Sequence, residues 1–274
     1  MTKSVGVNSN KNLVEMLENS RKCYGDRPLF GTKRKGVYEW TTYEKFAEKV
    51  DAFRGGLSSL GIAAGDKVAI ISKNTEEWAV SAYATYGLCG QHIPMYETQM
   101  AKEWEYIIND CGAKILLVSN ESIYEQTRNF TDKIDTLEHV VLLSGNIDSD
   151  VKTYSDLMQI GREKRVKALQ PESGSPMGMI YTSGTTGNPK GVILSHRNLI
   201  FECSVVIPLL GMDKDVRTLA FLPWAHVFGQ VAEVHGIIGC GGSAGLVEDV
   251  NTLIDELGVV KPSVFFAVPR VYNR

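Results

Sequence analysis

The sequence predicts an α/β fold with largely parallel sheets flanked by helices. Short β-branched apolar runs alternate with segments of helical period from residue 67 onward, and that alternation is the pattern of strands joined by helical crossovers. The 274 residues are 43% apolar and 22% charged, an ordinary globular balance for a chain that buries a sizeable core. A Pro, Gly and Ser-rich stretch, Gln170–Pro176, sustains neither period and separates two regions, 1–169 and 170–274.

A hairpin-like pair, Leu29–Lys33 and Gly36–Thr41 around a Lys-Arg-Lys turn, opens the folded part. Thr41 with Glu44 three positions on reads as a helix start, and Phe46, Val50, Phe53 and Leu57 continue at helical spacing to Gly61. Strands then fall at Lys67–Ser72, Gln91–Tyr96, Lys114–Ser119 and His139–Leu143. The helices between and after them are Thr75–Leu88, Lys102–Asp110, a segment reaching Lys133, and Tyr154–Ala168, whose basic end suits the helix dipole. Beyond the linker a helix is expected at Asn198–Leu210, another ending near Cys240, a β-run at Ala244–Val247 and a helix at Asn251–Leu257.

Charge and cysteines narrow the classes of function. With 29 basic and 32 acidic side chains the net charge is −3, which offers no field for a nucleic acid. Five cysteines at 23, 89, 111, 203 and 240 form neither a C-x-x-C pair nor a zinc spacing, so a reducing compartment is the default. The start MTKSVGVNSN has no signal-type apolar core, and Thr2 in place of glycine removes myristoylation, so a cytoplasmic setting is expected. Peripheral membrane contact stays open. The histidines have no metal-ligand spacing, and no metal-ligating residue is assigned.

The chemistry concentrates in residues 177–195, MGMIYTSGTTGNPKGVILS. An apolar run ends at Tyr181, a loop of hydroxyls and glycines follows, and Val192-Ile193-Leu194 is β-type again. Gly184 and Gly187 permit close backbone approach and positive φ, Thr182, Ser183, Thr185 and Thr186 supply hydroxyl donors, and Lys190 adds a charge; together they form a cradle for phosphate. Walker A does not fit, because the lysine precedes its glycine and a strand follows.

Tyr181–Val192, YTSGTTGNPKGV, resembles the signature loop of the adenylate-forming superfamily, which includes acyl-CoA synthetases, luciferases and peptide-synthetase adenylation domains. The resemblance implies that Thr182, Ser183, Gly184, Thr185, Thr186, Gly187 and Lys190 bind the β- and γ-phosphates of MgATP. Charge growing on departing pyrophosphate is what such preorganised donors stabilise. Phe221–Gly229, FLPWAHVFG, is similar to the next motif of long-chain fatty acyl-CoA synthetases, and Pro262–Arg274 to a later strand and turn. By that resemblance His226 helps place the carboxylate, while Trp224 and Phe228 border the acyl site.

The implied activity is fatty acid–CoA ligation with ATP, Mg2+ and coenzyme A. Family members continue with adenine, ribose and hinge motifs and a small C-terminal domain; none occurs in these residues, so an incomplete N-terminal domain, deficient when isolated, is expected. A noncatalytic nucleotide or acyl binder and a ligase for another carboxylic acid remain alternatives. Two coincidences in one glycine-dense stretch suggest other classes. Gly241-Gly242-Ser243-Ala244-Gly245 fits a nucleophile elbow, but no histidine follows Ser243. Gly239–Ala244 fits a degenerate dinucleotide fingerprint without the required strand and acid. His196 and Arg197 are readable as phosphate contacts or as a solvated helix start.

Overall fold

The computed structural model describes residues 9–147, 151–182 and 187–269. In chain order the elements are α1 (Leu13–Tyr24), β1 (Pro28–Arg34), β2 (Val37–Thr42), α2 (Tyr43–Ser59), β3 (Lys67–Ile71), α3 (Glu76–Tyr86), β4 (Gln91–Met95), α4 (Ala101–Cys111), β5 (Ile115–Val118) and α5 (Glu121–Thr127). They continue with β6 (His139–Leu142), α6 (Tyr154–Glu163), β7 (Pro176–Thr182), β8 (Lys190–Ser195), α7 (His196–Leu209), β9 (Arg217–Ala220), α8 (Val227–Gly229), a π-helical stretch (Gln230–His235), α9 (Gly236–Cys240), β10 (Ser243–Leu246) and α10 (Leu253–Val260). The fold is α/β with two mostly parallel sheets, as the alternation predicts. No helix among the described residues is long and apolar enough to cross a membrane.

One compact unit comprises 48–73 and 77–196. Its sheet has the order β6-β5-β3-β4-β7-β8, parallel except for the final β7/β8 pair. Strands β3 and β5 are buried almost end to end, which is why they read as continuous apolar runs rather than alternating ones. Helix α4 covers the sheet with Trp104, Ile107, Ile108 and Cys111, one apolar stripe at helical spacing, and stops at Gly112 in the left-handed conformation (φ 66°). Asn120 caps α5, and a reciprocal Thr153/Asp156 box caps α6. Strands β7 and β8 follow residue 170 yet pair in the same sheet as β3 to β6, so this sheet draws on both sides of the Gln170–Pro176 linker.

The last turns expected of α6 are not helical. The helix ends at Glu163, because the next residues engage other backbone: Arg54 Nε donates to the Val166 carbonyl at 2.9 Å and the Leu169 N–H to the Gly87 carbonyl at 2.8 Å. Likewise the helix expected to reach Lys133 stops at Thr127 and is followed by a single 3-10 turn at Phe130–Asp132.

The other compact unit comprises 1–47, 74–76 and 197–274. Its sheet has the order β2-β1-β10-β9. The β1/β2 hairpin turns through Lys35 (φ 50°) and Gly36 (φ 83°), the two positive-φ residues a tight hairpin turn requires. Helix α1 has no counterpart in the sequence-based expectations. Asn12 caps it through Glu15 N–H at 2.8 Å, and Leu13, Met16, Leu17 and Ser20 bury one stripe. Residues 261–268 form no strand, contrary to the expectation for Pro262 onward, and the end of that segment lies outside the described residues.

Candidate functional site

The hydroxyl- and glycine-rich segment is the loop of the β7/β8 hairpin. Antiparallel register places Tyr181 opposite Gly191 and Thr182 opposite Lys190, so the ladder closes immediately beneath the loop. Directly opposed side chains leave the same face of an antiparallel pair, and the exposed Thr182 hydroxyl and Lys190 ammonium therefore flank the mouth together. Gly187 has φ +97°, a conformation that a side chain would strain. Ser183, Gly184, Thr185 and Thr186 lie outside the described residues.

The strand beneath the loop is braced from both sides. Tyr181 donates its hydroxyl to Asp110 Oδ2 at 2.6 Å; burial first, and that hydrogen bond second, push the phenol above its ordinary range. A Cβ on Gly191 would stand 3.0 Å from the Tyr181 ring, so the glycine lets the ring lie against the partner strand.

The second motif forms the turn between β9 and α8. Asn74 grips its backbone twice: Nδ2 donates to the Leu222 carbonyl at 2.8 Å, and Oδ1 accepts from the Trp224 N–H at 2.9 Å. Gln230 Nε2 donates to the Trp224 carbonyl at 2.8 Å. Glu233 accepts from the N–H groups of Phe221 at 3.3 Å and Leu222 at 3.4 Å through Oε1, and from the Trp224 indole at 3.3 Å through Oε2. Burial pushes the Glu233 carboxyl well above the usual range, and the three N–H donors pull it partly back.

Within this turn Trp224 is buried, with its ring 5.7 Å from that of Phe30, whereas His226 and Phe228 are exposed. His226 caps α8, its Nδ1 accepting the Phe228 N–H at 3.2 Å. That bond places the proton of the neutral ring on Nε2, making it a hydrogen-bond donor. Thr182, Gly187 and Lys190 thus share one hairpin in the 48–196 unit, and Trp224, His226 and Phe228 share one turn in the other unit. Asn74, Gln230 and Glu233 were not expected from the sequence. The signal for Glu233 is a single carboxylate inside the apolar run Val231–Ile238.

Other readings fail on geometry. Ser243 is the first residue of β10 and buried, not the exposed tip of a strand-to-helix elbow. A helix, α9, precedes the glycines at 241 and 242, where a dinucleotide fingerprint needs a strand. His196 is buried rather than solvated, edge-on to Tyr86 with centroids 5.5 Å apart, and burial lowers its pKa to about 4. Among the described residues no group of three or more His, Cys, Asp or Glu could hold a metal ion.

The chain belongs to the AMP-binding enzyme family, whose model matches residues 17–274. It is 32% identical to long chain acyl-CoA synthetase 5 of Arabidopsis thaliana, over 95% of this chain and 41% of that protein. It is 30% identical to the long-chain-fatty-acid–CoA ligase FadD15 of Mycobacterium bovis, over 98% of this chain and 45% of that one. The chain therefore spans less than half the length of these curated relatives. Among solved structures, the anthranilate CoA ligase AuaEII in complex with anthranoyl-AMP superposes with a TM-score of 0.88 at 21% identity, covering 95% of this chain and 50% of that one. ATP-bound MatB from Rhodopseudomonas palustris gives 0.80 at 21% identity, covering 97% and 50%. Those two likenesses establish the fold.

Proposed function

We propose that this chain serves a long-chain fatty acid–CoA ligase. A fatty acid carboxylate attacks the α-phosphorus of ATP, forming acyl-adenylate and releasing pyrophosphate. The thiol of coenzyme A then attacks the acyl carbon and AMP departs, leaving the thioester. The observation that carries this reading is the Thr182–Lys190 pair closing the β7/β8 hairpin, which sets a hydroxyl and an ammonium on one face of the loop mouth.

In this proposal Thr182, Ser183, Gly184, Thr185, Thr186, Gly187 and Lys190 hold the β- and γ-phosphates and stabilise the charge that builds on pyrophosphate. His226 orients the carboxylate through its Nε2–H, and Phe228, with Trp224 buried at the base of the same turn, borders the acyl side. ATP enters as its magnesium complex, with no residue of this chain assigned to the metal. A cytoplasmic, membrane-peripheral setting suits an acid that partitions into bilayers.

Titration of the protein with ATP, followed by an assay of pyrophosphate exchange with palmitate, tests the reading. ATP binding that weakens at least about tenfold in Lys190→Ala is the expected result. Unchanged binding would show Lys190 to be a solvated surface charge, and binding without turnover in a chain extended to its relatives' length would favour a noncatalytic binder.

A further inference from the structure

A polar cavity of about 320 Å³ opens at one end of the small sheet. Pro28, Arg217 and Ser243, the first residues of β1, β9 and β10, line its wall, so it lies at the amino ends of three parallel strands. The Leu222–His226 turn follows the carboxyl end of β9, roughly 15 Å away at the rise of an extended chain. In open α/β sheets the reacting ligand sits outside the carboxyl ends. The cavity is thus separate from the turn that carries His226.

Its lining is strongly basic. Arg27, Lys214, Arg217 and Lys261 face a single carboxylate, Asp215. Asp215 is shared, 2.9 Å from Arg27 Nη2 and 3.0 Å from Lys214 Nζ, and so it offsets one of their two charges. The Arg217 guanidinium lies over the Trp40 ring at 4.7 Å, which fixes its plane without neutralising it. Its Nε donates to Ser243 Oγ at 3.4 Å, leaving the Ser243 hydroxyl proton to donate into the cavity. Arg27 Nε is shielded from solvent and has no hydrogen-bond partner among the described residues.

We propose that this cavity is a binding site for a multiply charged phosphate group, presented by a free diphosphate or phosphomonoester or by a phospholipid headgroup. A carboxylate would neutralise only one of three uncompensated charges. A phosphate group brings two or more charges and several tetrahedral oxygens, enough to engage the planar arginine fork, the ammonium groups and Ser243 together. Ser243, whose motif is explained neither by hydrolysis nor by dinucleotide binding, gains a role as a hydroxyl donor.

The test is calorimetric titration of the protein with inorganic pyrophosphate, in parallel with Lys190→Ala, Lys261→Asn and the double variant Lys214→Gln/Lys261→Asn. Positions 214 and 261 are exposed, and asparagine accepts the positive φ of 51° at 261. The inference predicts pyrophosphate binding that persists in Lys190→Ala, weakens in Lys261→Asn and falls at least about tenfold in the double variant. Co-sedimentation with phosphatidylcholine vesicles, with and without phosphatidylinositol bisphosphate, distinguishes the source. Selective retention lost in the double variant assigns a headgroup, and pyrophosphate binding without retention assigns a soluble ligand. Lys190→Ala abolishing all pyrophosphate binding, or equal affinity in native and double variant with no vesicle selectivity, overturns the inference. Because Lys190 belongs to the hairpin alone, failure of the ligase reading leaves this outcome readable.

Discussion

Thr182 and Lys190 are direct cross-strand partners at the point where the β7/β8 ladder ends and the glycine- and hydroxyl-rich loop begins. Register, not loop sequence, fixes their common face, since a slip of one residue would send Lys190 to the opposite side. Lys190→Arg should therefore retain part of the ATP affinity lost in Lys190→Ala, because the charge stays on the same face. Equilibrium titration of the two variants checks the order native, arginine, alanine, with melting temperatures unchanged for this exposed position.

Glu233 is the counterpart of that anchor in the second motif. Glu233→Ala leaves the N–H groups of Phe221 and Leu222 and the Trp224 indole without their acceptor in a buried place. A loss on the order of 3 kcal/mol in unfolding free energy is expected. Urea denaturation measures it, and acrylamide quenching of the tryptophan fluorescence should rise as the turn around Trp224 loosens.

The buried His196 makes stability depend on pH. Its folded pKa, about 4, lies below the unfolded value near 6.5, so the unfolded chain binds a proton that the folded one refuses. The stability attached to neutral His196 is complete above about pH 6.5 and is lost as pH falls toward 4, amounting to about 3 kcal/mol. His196→Phe keeps a ring edge against Tyr86 and should flatten this part of the curve in a pH series of urea midpoints.

Gly161 on α6 meets α2 without room for a side chain. A Cβ there would stand 1.6 Å from the Ala52 carbonyl oxygen, so backbone must separate before any larger residue fits. Gly161→Ala is expected to destabilise by roughly 3 kcal/mol or more, visible as a drop in melting temperature.

Much of the large sheet was legible because parallel strands buried on both faces, β3 and β5, appear as nearly continuous apolar runs. The segment after Glu163 was not, since nothing local announces that Arg54 will claim the Val166 carbonyl. Helix α1 was hidden differently: its buried stripe of Leu13, Met16, Leu17 and Ser20 is interleaved with polar residues, although Asn12 already marked its start. At the site, hydroxyls and glycines around Lys190 carry their chemistry in composition. Asn74 does not, because its two bonds reach residues about 150 positions away, and its role exists only after folding.

Amide hydrogen exchange across residues 182–191, with and without ATP, tests the central claim most directly. The hairpin loop should exchange more slowly when the nucleotide is added, and Lys190→Ala should reduce that protection. ATP binding that slows exchange elsewhere while leaving 182–191 unchanged would contradict the assignment of this loop to the triphosphate.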